Sequence, residues 1–281
     1  MNCDLHTHTV HSDGSFTPVE LVRAAKEKNL IIALTDHNTV SGLSEFMAEA
    51  DRIGAEVVGG TELSCVYNGG EFHLLGLFIE PQHYSRVESL CIDYHSLKEK
   101  SNIDLIDKLC AMGYELNYAE IQKQNVNGRV NRAHIAAELL HKGYVDSIPR
   151  AFERLLDEKC GIYVPPKRLS LIEGISFIRK INALPVLAHP LKEIGAGELR
   201  EMIPNLKEAG LIGIETMHSS YTDEKIAISK EIAKEFDLLE SGGSDFHGSV
   251  KPGVQLGVGK GNLDIPYEIY FKFKSLKETL K

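Results

Sequence analysis

Two histidines spaced two residues apart, in the stretch Asp4-Leu-His-Thr-His8, constrain this chain more than any other feature. In an extended strand, alternate side chains point to the same side, so His6 and His8 can present two imidazoles to one metal ion. Asp13 follows just beyond, where a turn ending at Gly14 can fold its carboxylate back. A surface strand with scattered histidines would give the same local pattern. The remainder of the chain decides between the two interpretations.

Length and composition indicate an ordinary globular protein. The chain has 281 residues, of which 43% are apolar and 25% charged. This length suits two average domains or one barrel of alternating strands and helices. No run of about 18 apolar residues occurs, so we expect no membrane span. Because the histidine motif starts within the first few residues, we expect no signal peptide and a cytoplasmic location.

Cysteine usage and charge narrow the class of protein further. The five cysteines are dispersed, odd in number and never spaced as CxxC, which argues against disulfides and a thiolate zinc site. The net charge of -9 argues against a passive nucleic-acid coat. Residues 95–168, however, hold twelve Lys and Arg against ten Asp and Glu. This mildly basic segment either steers an anionic substrate or is an ordinary solvated helical surface.

Short apolar runs alternate with amphipathic stretches in the first 80 residues and again after residue 170. The runs predict strands at 2–6, 30–35, 55–59, 71–80, 185–188, 211–215 and 238–239. The amphipathic stretches predict helices at 18–28, 41–53, 171–181, 199–209 and 223–236, with a final helix in the tail from residue 266. Strands alternating with helices imply a parallel sheet or barrel.

Between about residues 83 and 165 the pattern changes to helices without a convincing strand. Helical periodicity covers 85–112, 118–123, 132–142 and 148–159, and the rigid Val164-Pro-Pro166 closes the segment. We therefore predict one barrel domain made of residues 1–82 and 166–281. Residues 83–165 are predicted to form a helical insertion that covers the active site.

Nine potential metal ligands lie mostly just past the predicted strands. They are His6, His8, Asp13, His37, Glu62, His73, His189, Asp245 and His247. In a parallel barrel the carboxyl ends of the strands share one face, so residues far apart in sequence converge there. Imidazoles and carboxylates without a thiolate suit Mn(II), Zn(II) or Fe(II). Nine ligands are too many for one ion, which predicts two or three divalent metal ions with a bridging carboxylate.

Each of these residues also has a plain structural interpretation. His37 could cap a strand end, His73 could be a satisfied core histidine, and the segments His189-Pro190 and Asp245-Phe-His247 could shape turns. The DxH spacing of the last segment, however, repeats the same-side geometry of the HxH pair. The whole combination is not expected of a barrel without metals.

The chain resembles the PHP (polymerase and histidinol phosphatase) metal-dependent phosphoesterases over nearly its whole length. The matching motifs, in order, are Asp4-Leu-His-Thr-His8, Thr35-Asp-His37, Glu62, His73, Ala188-His-Pro190 and Gly243-Ser-Asp-Phe-His247. The resemblance implies an α/β fold, a distorted (β/α)7 TIM-like barrel, with a trinuclear site. It implies one metal held by His6, His8, Glu62 and Asp245, a second reached by Glu62 with His73 and His189, and a third held by Asp13, His37 and His247.

The helical insertion resembles the subgroup of that family that dephosphorylates nucleotides, including 3',5'-nucleoside bisphosphates, and trims short RNA from its 5' end. The matching segment is Asn131-Arg-Ala-His-Ile-Ala136, in which Ala133 replaces the Pro that the subgroup tends to carry. The resemblance implies a phosphorylated partner, a nucleotide or a short RNA. We expect no membrane partner and no obligate protein partner.

The expected mechanism is in-line attack on phosphorus by a hydroxide that bridges the metals. Arg132, Lys167 and Arg168 are the candidates to bind the remaining phosphate charge, because cationic donors match phosphate oxygens. His134 or His218 would protonate the leaving alkoxide. The structural alternatives are a solvated helix charge for Arg132 and a loop residue for His218.

Three functions compete at this point. The first is a nucleotide phosphatase or 5' exoribonuclease, which the insertion favours. The second is a histidinol-phosphate-type small-molecule phosphatase, which does not require the insertion. The third is a noncatalytic metal-stabilised module, which degenerate ligands would support, although all nine ligands are present.

Overall fold

The computed structural model describes residues 2–124, 130–166 and 168–280. The chain divides into two compact units, one that runs to Ser89 and resumes at Leu169, and one that spans Leu90–Arg168. Each unit has a hydrophobic core of its own.

Seven strands of the first unit form a nearly closed barrel. They are β1 (Asn2–Thr7), β2 (Leu30–Leu34), β3 (Val57–Tyr67), β4 (Gly70–Leu77), β5 (Leu184–Ala188), β6 (Gly213–His218) and β7 (Leu239–Gly243). Their order in the sheet is their order in the chain. Neighbouring strands pair in parallel except at β4, which is antiparallel to both β3 and β5. The predicted α/β barrel is therefore confirmed, with one reversed strand.

Eleven α-helices occur in the described residues. They are α1 (Pro18–Glu27), α2 (Leu43–Ile53), α3 (Tyr84–Ala111), α4 (Tyr118–Lys123), α5 (Arg132–His141), α6 (Ile148–Ala151), α7 (Leu171–Lys180), α8 (Pro190–Glu193), α9 (Ala196–Ala209), α10 (Asp223–Glu235) and α11 (Tyr267–Thr279). No helix among the described residues is long and apolar enough to cross a membrane.

Local sequence signals set the ends of the barrel helices. Thr17 caps α1 by accepting a hydrogen bond from the backbone N–H of Glu20, whose side chain accepts one from the backbone N–H of Thr17. This reciprocal capping box satisfies two N–H groups that a helix start leaves unpaired. Gly54 ends α2 in the left-handed region at φ 64°, which glycine adopts without strain.

The reversed strand β4 follows from a tight hairpin. Asn68 and Gly69 connect β3 to β4, and both have positive φ angles, 48° and 81°. This is the type I' geometry that an Asn-Gly pair favours. Because β4 runs backwards, its first residues lie at the edge of the sheet where the parallel strands end. His73, near the start of β4, thereby reaches the same edge as the strand-end residues.

A buried carboxylate, Asp4, fastens the last strand of the barrel to the first. The backbone N–H and the hydroxyl of Ser244 donate to the two oxygens of Asp4 at 2.8 and 2.5 Å, and the N–H of Gly257 donates at 2.8 Å. Gly243 lies so close to β1 that an added Cβ would collide with His6. The glycine and the carboxylate together allow the two edges of the sheet to meet.

The second unit is helical in its described residues, as the periodicity predicts. Its core joins α5 to neighbouring segments through buried residues that include Ile135, Leu139 and Leu156. The predicted helix at 148–159 is wrong in its continuity. The segment consists of the short helix α6, a π-helical turn, Phe152–Leu156, and a 3-10 turn, Glu158–Cys160. Asp157 interrupts it because its backbone is extended, with ψ 147°.

Replacing Asp4 by alanine should destabilise the barrel, because two backbone N–H groups would remain buried without an acceptor. Each such group costs about 1–3 kcal/mol, so we expect the free energy of unfolding to fall by at least about 2 kcal/mol. Urea denaturation of the full chain measures the free energy of unfolding. Asp264→Ala is the matched control, since Asp264 is exposed and bonds only to the Asn2 side chain among the contacts described. An equal loss in both variants would contradict the role of Asp4.

Candidate metal centre

All nine residues predicted as metal ligands converge at one end of the barrel. His6 lies in β1 and His8 just after it, Glu62 lies in β3, and His73 lies at the start of β4. The remaining five follow strand ends or the adjacent turns: Asp13, His37, His189, Asp245 and His247. Potential ligand atoms form four overlapping groups, each within 4.8 Å, and every one of the nine residues belongs to at least one group.

Glu62 is at the middle of the cluster, and its two oxygens face different histidines. Oε2 lies 3.1 Å from His6 Nε2, 3.2 Å from His8 Nε2 and 3.1 Å from His37 Nδ1. Oε1 lies 2.8 Å from His73 Nδ1 and 3.2 Å from His189 Nε2. One carboxylate therefore faces two sets of nitrogens, which is the arrangement expected of a bridging ligand.

Asp13 lies on the more open side of the cluster. Its carboxylate is 3.1 Å from His247 Nε2 and 3.9 Å from His37 Nε2, and its side chain is 54% exposed. His8 Nδ1 lies 3.8 Å from the same carboxylate. By contrast, the side chains of His8 and His247 are at most 1% exposed. The cluster is thus closed toward the barrel core and accessible at Asp13.

The unpaired polar atoms of the cluster fit divalent metal ions. Seven buried atoms of the predicted ligands make no hydrogen bond: His6 Nε2, His8 Nε2, His37 Nδ1, Glu62 Oε2, His73 Nδ1, His189 Nδ1 and His247 Nε2. Buried polar atoms without a partner are rare and call for an explanation. Two ligands bound to one ion at about 2.0–2.2 Å lie roughly 3 to 3.5 Å from each other, as many pairs here do. The nitrogen and oxygen atoms of the cluster are thus as close to one another as ligands of one metal ion, but they are not aligned for hydrogen bonds.

The charges of the cluster are strongly coupled. Burial would raise the pKa of Glu62, but the neighbouring imidazoles, His37 first, hold it well below its usual range. Burial would lower the pKa of His8, but the adjacent carboxylates of Asp245 and Glu62 raise it to about 9. For His37, burial outweighs the effect of the neighbouring carboxylates and lowers the pKa to about 4. Metal ligation requires neutral imidazoles, so binding of metal would displace protons from the histidines whose pKa is raised, namely His6, His8 and His73.

Two of the predicted ligands have strained backbones. His189 and Asp245 lie in the left-handed region with φ of 30° and 56°. A residue with a Cβ occupies this region at a free-energy penalty, and such residues concentrate at functional sites. Hydrogen bonds hold both residues in place: the His189 N–H donates to Glu215 at 2.8 Å, and the Asp245 N–H donates to the His6 carbonyl at 3.0 Å.

Glu215 is a member of the cluster that the sequence analysis missed. It is fully buried in β6, where Oε1 lies 3.0 Å from His6 Nδ1 and Oε2 accepts the His189 N–H. Burial would raise the pKa of Glu215, but the His6 charge and hydrogen bond lower it. A carboxylate behind a metal-binding histidine fixes the orientation and tautomer of the imidazole. The signal was available, since Glu215 ends the apolar run LIGIE at the edge where the ligands lie.

His218 also lies in the cluster, although it is not one of the nine. His218 Nδ1 lies 2.8 Å from the Ser220 hydroxyl and accepts the Ser220 backbone N–H at 3.1 Å, while Nε2 points the other way. That nitrogen lies 3.5 Å from Asp245 Oδ2. His218 therefore has one ring nitrogen next to a predicted metal ligand.

The other predicted substrate residues lie in the helical unit or outside the described residues. Arg132 donates to the Leu156 carbonyl at 3.1 Å, and its guanidinium lies 4.2 Å from the ring centroid of Tyr163. His134 belongs to the capping box of α5, where its Nδ1 accepts the Asn131 N–H. Arg168 is at the end of the helical unit. Lys167 is outside the described residues. The predicted roles of these four residues stay predictions.

Comparison with known proteins identifies the family. The PHP domain model matches residues 4–159. A 5'-3' exoribonuclease from Haemophilus influenzae is 32% identical over 87% of this chain and 89% of its own length. A phosphoribosyl 1,2-cyclic phosphate 1,2-diphosphodiesterase from Eggerthella lenta is 30% identical over 87% and 94%. A 3',5'-nucleoside bisphosphate phosphatase from Chromobacterium violaceum is 29% identical over 91% and 90%.

Solved structures share the fold over almost the full length. An amidohydrolase from Chromobacterium violaceum, with bound sulfate and no metal, superposes with a TM-score of 0.75 at 27% identity. The match covers 98% of this chain and 96% of that chain. The fold and the cluster define a metal-dependent phosphoesterase, which confirms the predicted enzyme class. The chain belongs to the PHP domain family.

Glu215→Gln should weaken metal binding without unfolding the barrel, because an amide oxygen can replace only one of the two accepting oxygens. The expected loss in metal affinity or activity is roughly 10- to 100-fold. Metal titration followed by elemental analysis measures it. Glu240→Gln makes the same change in the neighbouring strand β7, where Glu240 is only partly buried, and should retain its metal. Wild-type metal affinity in Glu215→Gln would contradict the orienting role.

Proposed function

We propose that this phosphoesterase hydrolyses phosphate monoesters of nucleotides, namely 3',5'-nucleoside bisphosphates and AMP-like nucleotides, and acts at the 5' ends of short RNA. The observation that carries the chemistry is the position of Glu62, whose two oxygens face two sets of imidazoles. The nucleotide class is supported by relatives named exoribonuclease and nucleoside bisphosphate phosphatase. No relative reported above is named for histidinol phosphate or for a noncatalytic module.

The proposed cofactors are two or three divalent ions, Mn, Fe or Zn. The nine predicted ligands would hold them in the sets that the family resemblance implies, with Glu62 shared between two ions. Two of the observed groups of potential ligand atoms support this division: His6, His8 and Asp245 form one, and His8, Asp13, His37 and His247 form another. Cytoplasmic residence belongs to the same proposal and is supported by five cysteines without a disulfide.

The ions supply a water of lowered pKa and positive charge for the phosphate oxygens. The protein supplies the access and the orientation. The substrate approaches beside Asp13, His37 and His73, whose side chains are 54%, 23% and 23% exposed, whereas those of the other six predicted ligands are at most 9% exposed. Buried Glu215 contacts His6 Nδ1 and so keeps His6 Nε2 turned toward Glu62.

Proton transfer to the leaving oxygen needs a donor at the rim of the cluster. His218 stays a predicted donor: in its imidazolium form Nδ1 can donate to the Ser220 hydroxyl at 2.8 Å, while Nε2, 3.5 Å from Asp245 Oδ2, would give its proton to the leaving oxygen. His134 stays the second predicted donor, from the family resemblance alone. Arg132, Lys167 and Arg168 stay the predicted cations for a second phosphate of the substrate on the same basis.

Glu62→Gln should abolish hydrolysis and lower the bound metal at more than one position, because the change removes a carboxylate from two sets of ligands. Elemental analysis after metal loading gives the metal content, and circular dichroism shows whether the barrel is folded. Glu45→Gln, an exposed change on α2, is the control with the same chemistry and should behave as wild type. Near wild-type turnover of Glu62→Gln in metal-replete buffer would rule out the bridging role.

The substrate class is tested by competition at equal concentrations. A 3',5'-bisphosphonucleotide should be hydrolysed with higher kcat/KM than the matching monophosphate, since binding energy from a remote phosphate can stabilise the transition state. Histidinol phosphate should be a poor substrate. Phosphoribosyl 1,2-cyclic phosphate belongs in the panel because the Eggerthella lenta relative is named for it. Preference for either of these last two compounds would reject the nucleotide proposal and leave the phosphoester chemistry in place.

A further inference from the structure

The two oxygens of Asp245 face different partners. Oδ1 points into the cluster, 3.3 Å from His8 Nε2 and 3.8 Å from His6 Nε2. Oδ2 lies 2.8 Å from Lys251 Nζ, with His218 Nε2 at 3.5 Å. Asp245 therefore has one oxygen available to a metal and the other held by a cation.

Lys251 is the one Lys or Arg, in the part of the chain that the structure describes, that forms an ion pair with a carboxylate of the metal cluster. Its side chain is 40% exposed, whereas that of Asp245 is 9% exposed. The ammonium group thus lies at the boundary between the buried ligands and the solvent.

The backbone around Lys251 is held by specific contacts. The Ser249 N–H donates to the Ser15 hydroxyl at 2.8 Å, and the Ser15 N–H donates to the His247 carbonyl at 3.1 Å. Gly248 has a φ of 65°, and an added Cβ there would collide with Ser15. The turn continues through the Lys251 carbonyl, which accepts the Val254 N–H at 2.9 Å. These contacts fix the start of the lysine side chain beside the strand-end ligands.

The chemistry of an ammonium group suits a phosphate at this position. It carries three N–H donors and no acceptor. One donor is used by Asp245, so the same group can also donate to an oxygen of a bound phosphate. Hydrogen bonds from a cation to phosphate are shorter and stronger than neutral ones. The ion pair with Asp245 limits the freedom of a long flexible side chain, which lowers the entropy lost when the phosphate binds.

We propose that Lys251 binds the phosphate that undergoes hydrolysis, with its ammonium group held at the metal cluster by Asp245 Oδ2. The inference rests on the proposed phosphoesterase reaction and adds a protein cation from the barrel itself. It differs from the predicted roles of Arg132, Lys167 and Arg168, which concern the remaining phosphate charge of the substrate. Lys251 acts on the group common to every substrate.

A simpler role has to be separated from this one. Lys251 could serve only to neutralise and orient Asp245, in which case its removal would act through the metals. The metal content of the protein distinguishes the two roles. A phosphate-binding lysine changes the affinity for phosphate while the metals stay bound, whereas a lysine that only positions Asp245 changes both together.

The test uses inorganic phosphate as the probe and the metal-loaded full chain. Lys251→Met keeps the length of the side chain without its charge, and Lys251→Arg restores a cation. Lys260→Met is the matched control, because it removes one exposed positive charge from the same loop region. Isothermal titration calorimetry gives the affinity for phosphate, and elemental analysis gives the metals bound per chain.

Lys251→Met should weaken phosphate binding roughly 10- to 150-fold, the loss expected for one charge-assisted contact, with unchanged metal content. Lys251→Arg should recover part of the affinity, and Lys260→Met should match wild type. Wild-type phosphate affinity in Lys251→Met would overturn the inference, and so would a parallel loss of metal. If Lys251→Met loses phosphate binding but wild-type protein hydrolyses no nucleotide, the proposed substrate class fails while the phosphate contact stands.

Discussion

The buried carboxylate of Glu62 is the constraint on which the rest of the site depends. An unpaired charge inside a barrel is unfavourable by several kcal/mol, so it is tolerated only where opposite charges or metals surround it. Five imidazole nitrogens lie within about 3.2 Å of its two oxygens. Those imidazoles come from positions scattered between β1 and β5. The barrel therefore has to close correctly before this carboxylate is balanced, which links the fold directly to the candidate metal centre.

Much of the fold could be predicted from the sequence, because buried strands and capped helices leave strong local patterns. The reversed strand β4 could have been predicted as well, since Asn68-Gly69 is a typical hairpin turn between two apolar runs. The alternation of strands and helices along the chain instead predicted a sheet of parallel strands. The broken helix after Ile148 was not predictable from periodicity, because π and 3-10 turns keep an almost helical spacing of apolar residues.

The candidate site, like the fold, could be predicted from the sequence only in part. Its nine predicted ligands share one recognisable rule, a polar side chain at the end of a strand, and the structure brings all nine together. Glu215 follows the rule but was not recognised, because it does not face the centre of the cluster, whereas Lys251 does not follow it. Glu215 contacts the imidazole of His6 rather than the open centre, and Lys251 is a loop lysine whose neighbour is decided only by how the turn after β7 folds. Pairwise contacts of this kind are three-dimensional and leave no periodic trace.

The left-handed backbones of His189 and Asp245 have an evolutionary consequence. Each such residue lowers stability by about 1–3 kcal/mol, and glycine would occupy the same conformation without that penalty. Selection for heat resistance alone would therefore favour loss of both side chains, and only selection for turnover retains them. Lineages that adapt to high temperature have to gain stability elsewhere in the barrel. These two positions should consequently be among the slowest to change wherever the enzyme is active, and among the first where activity has been lost.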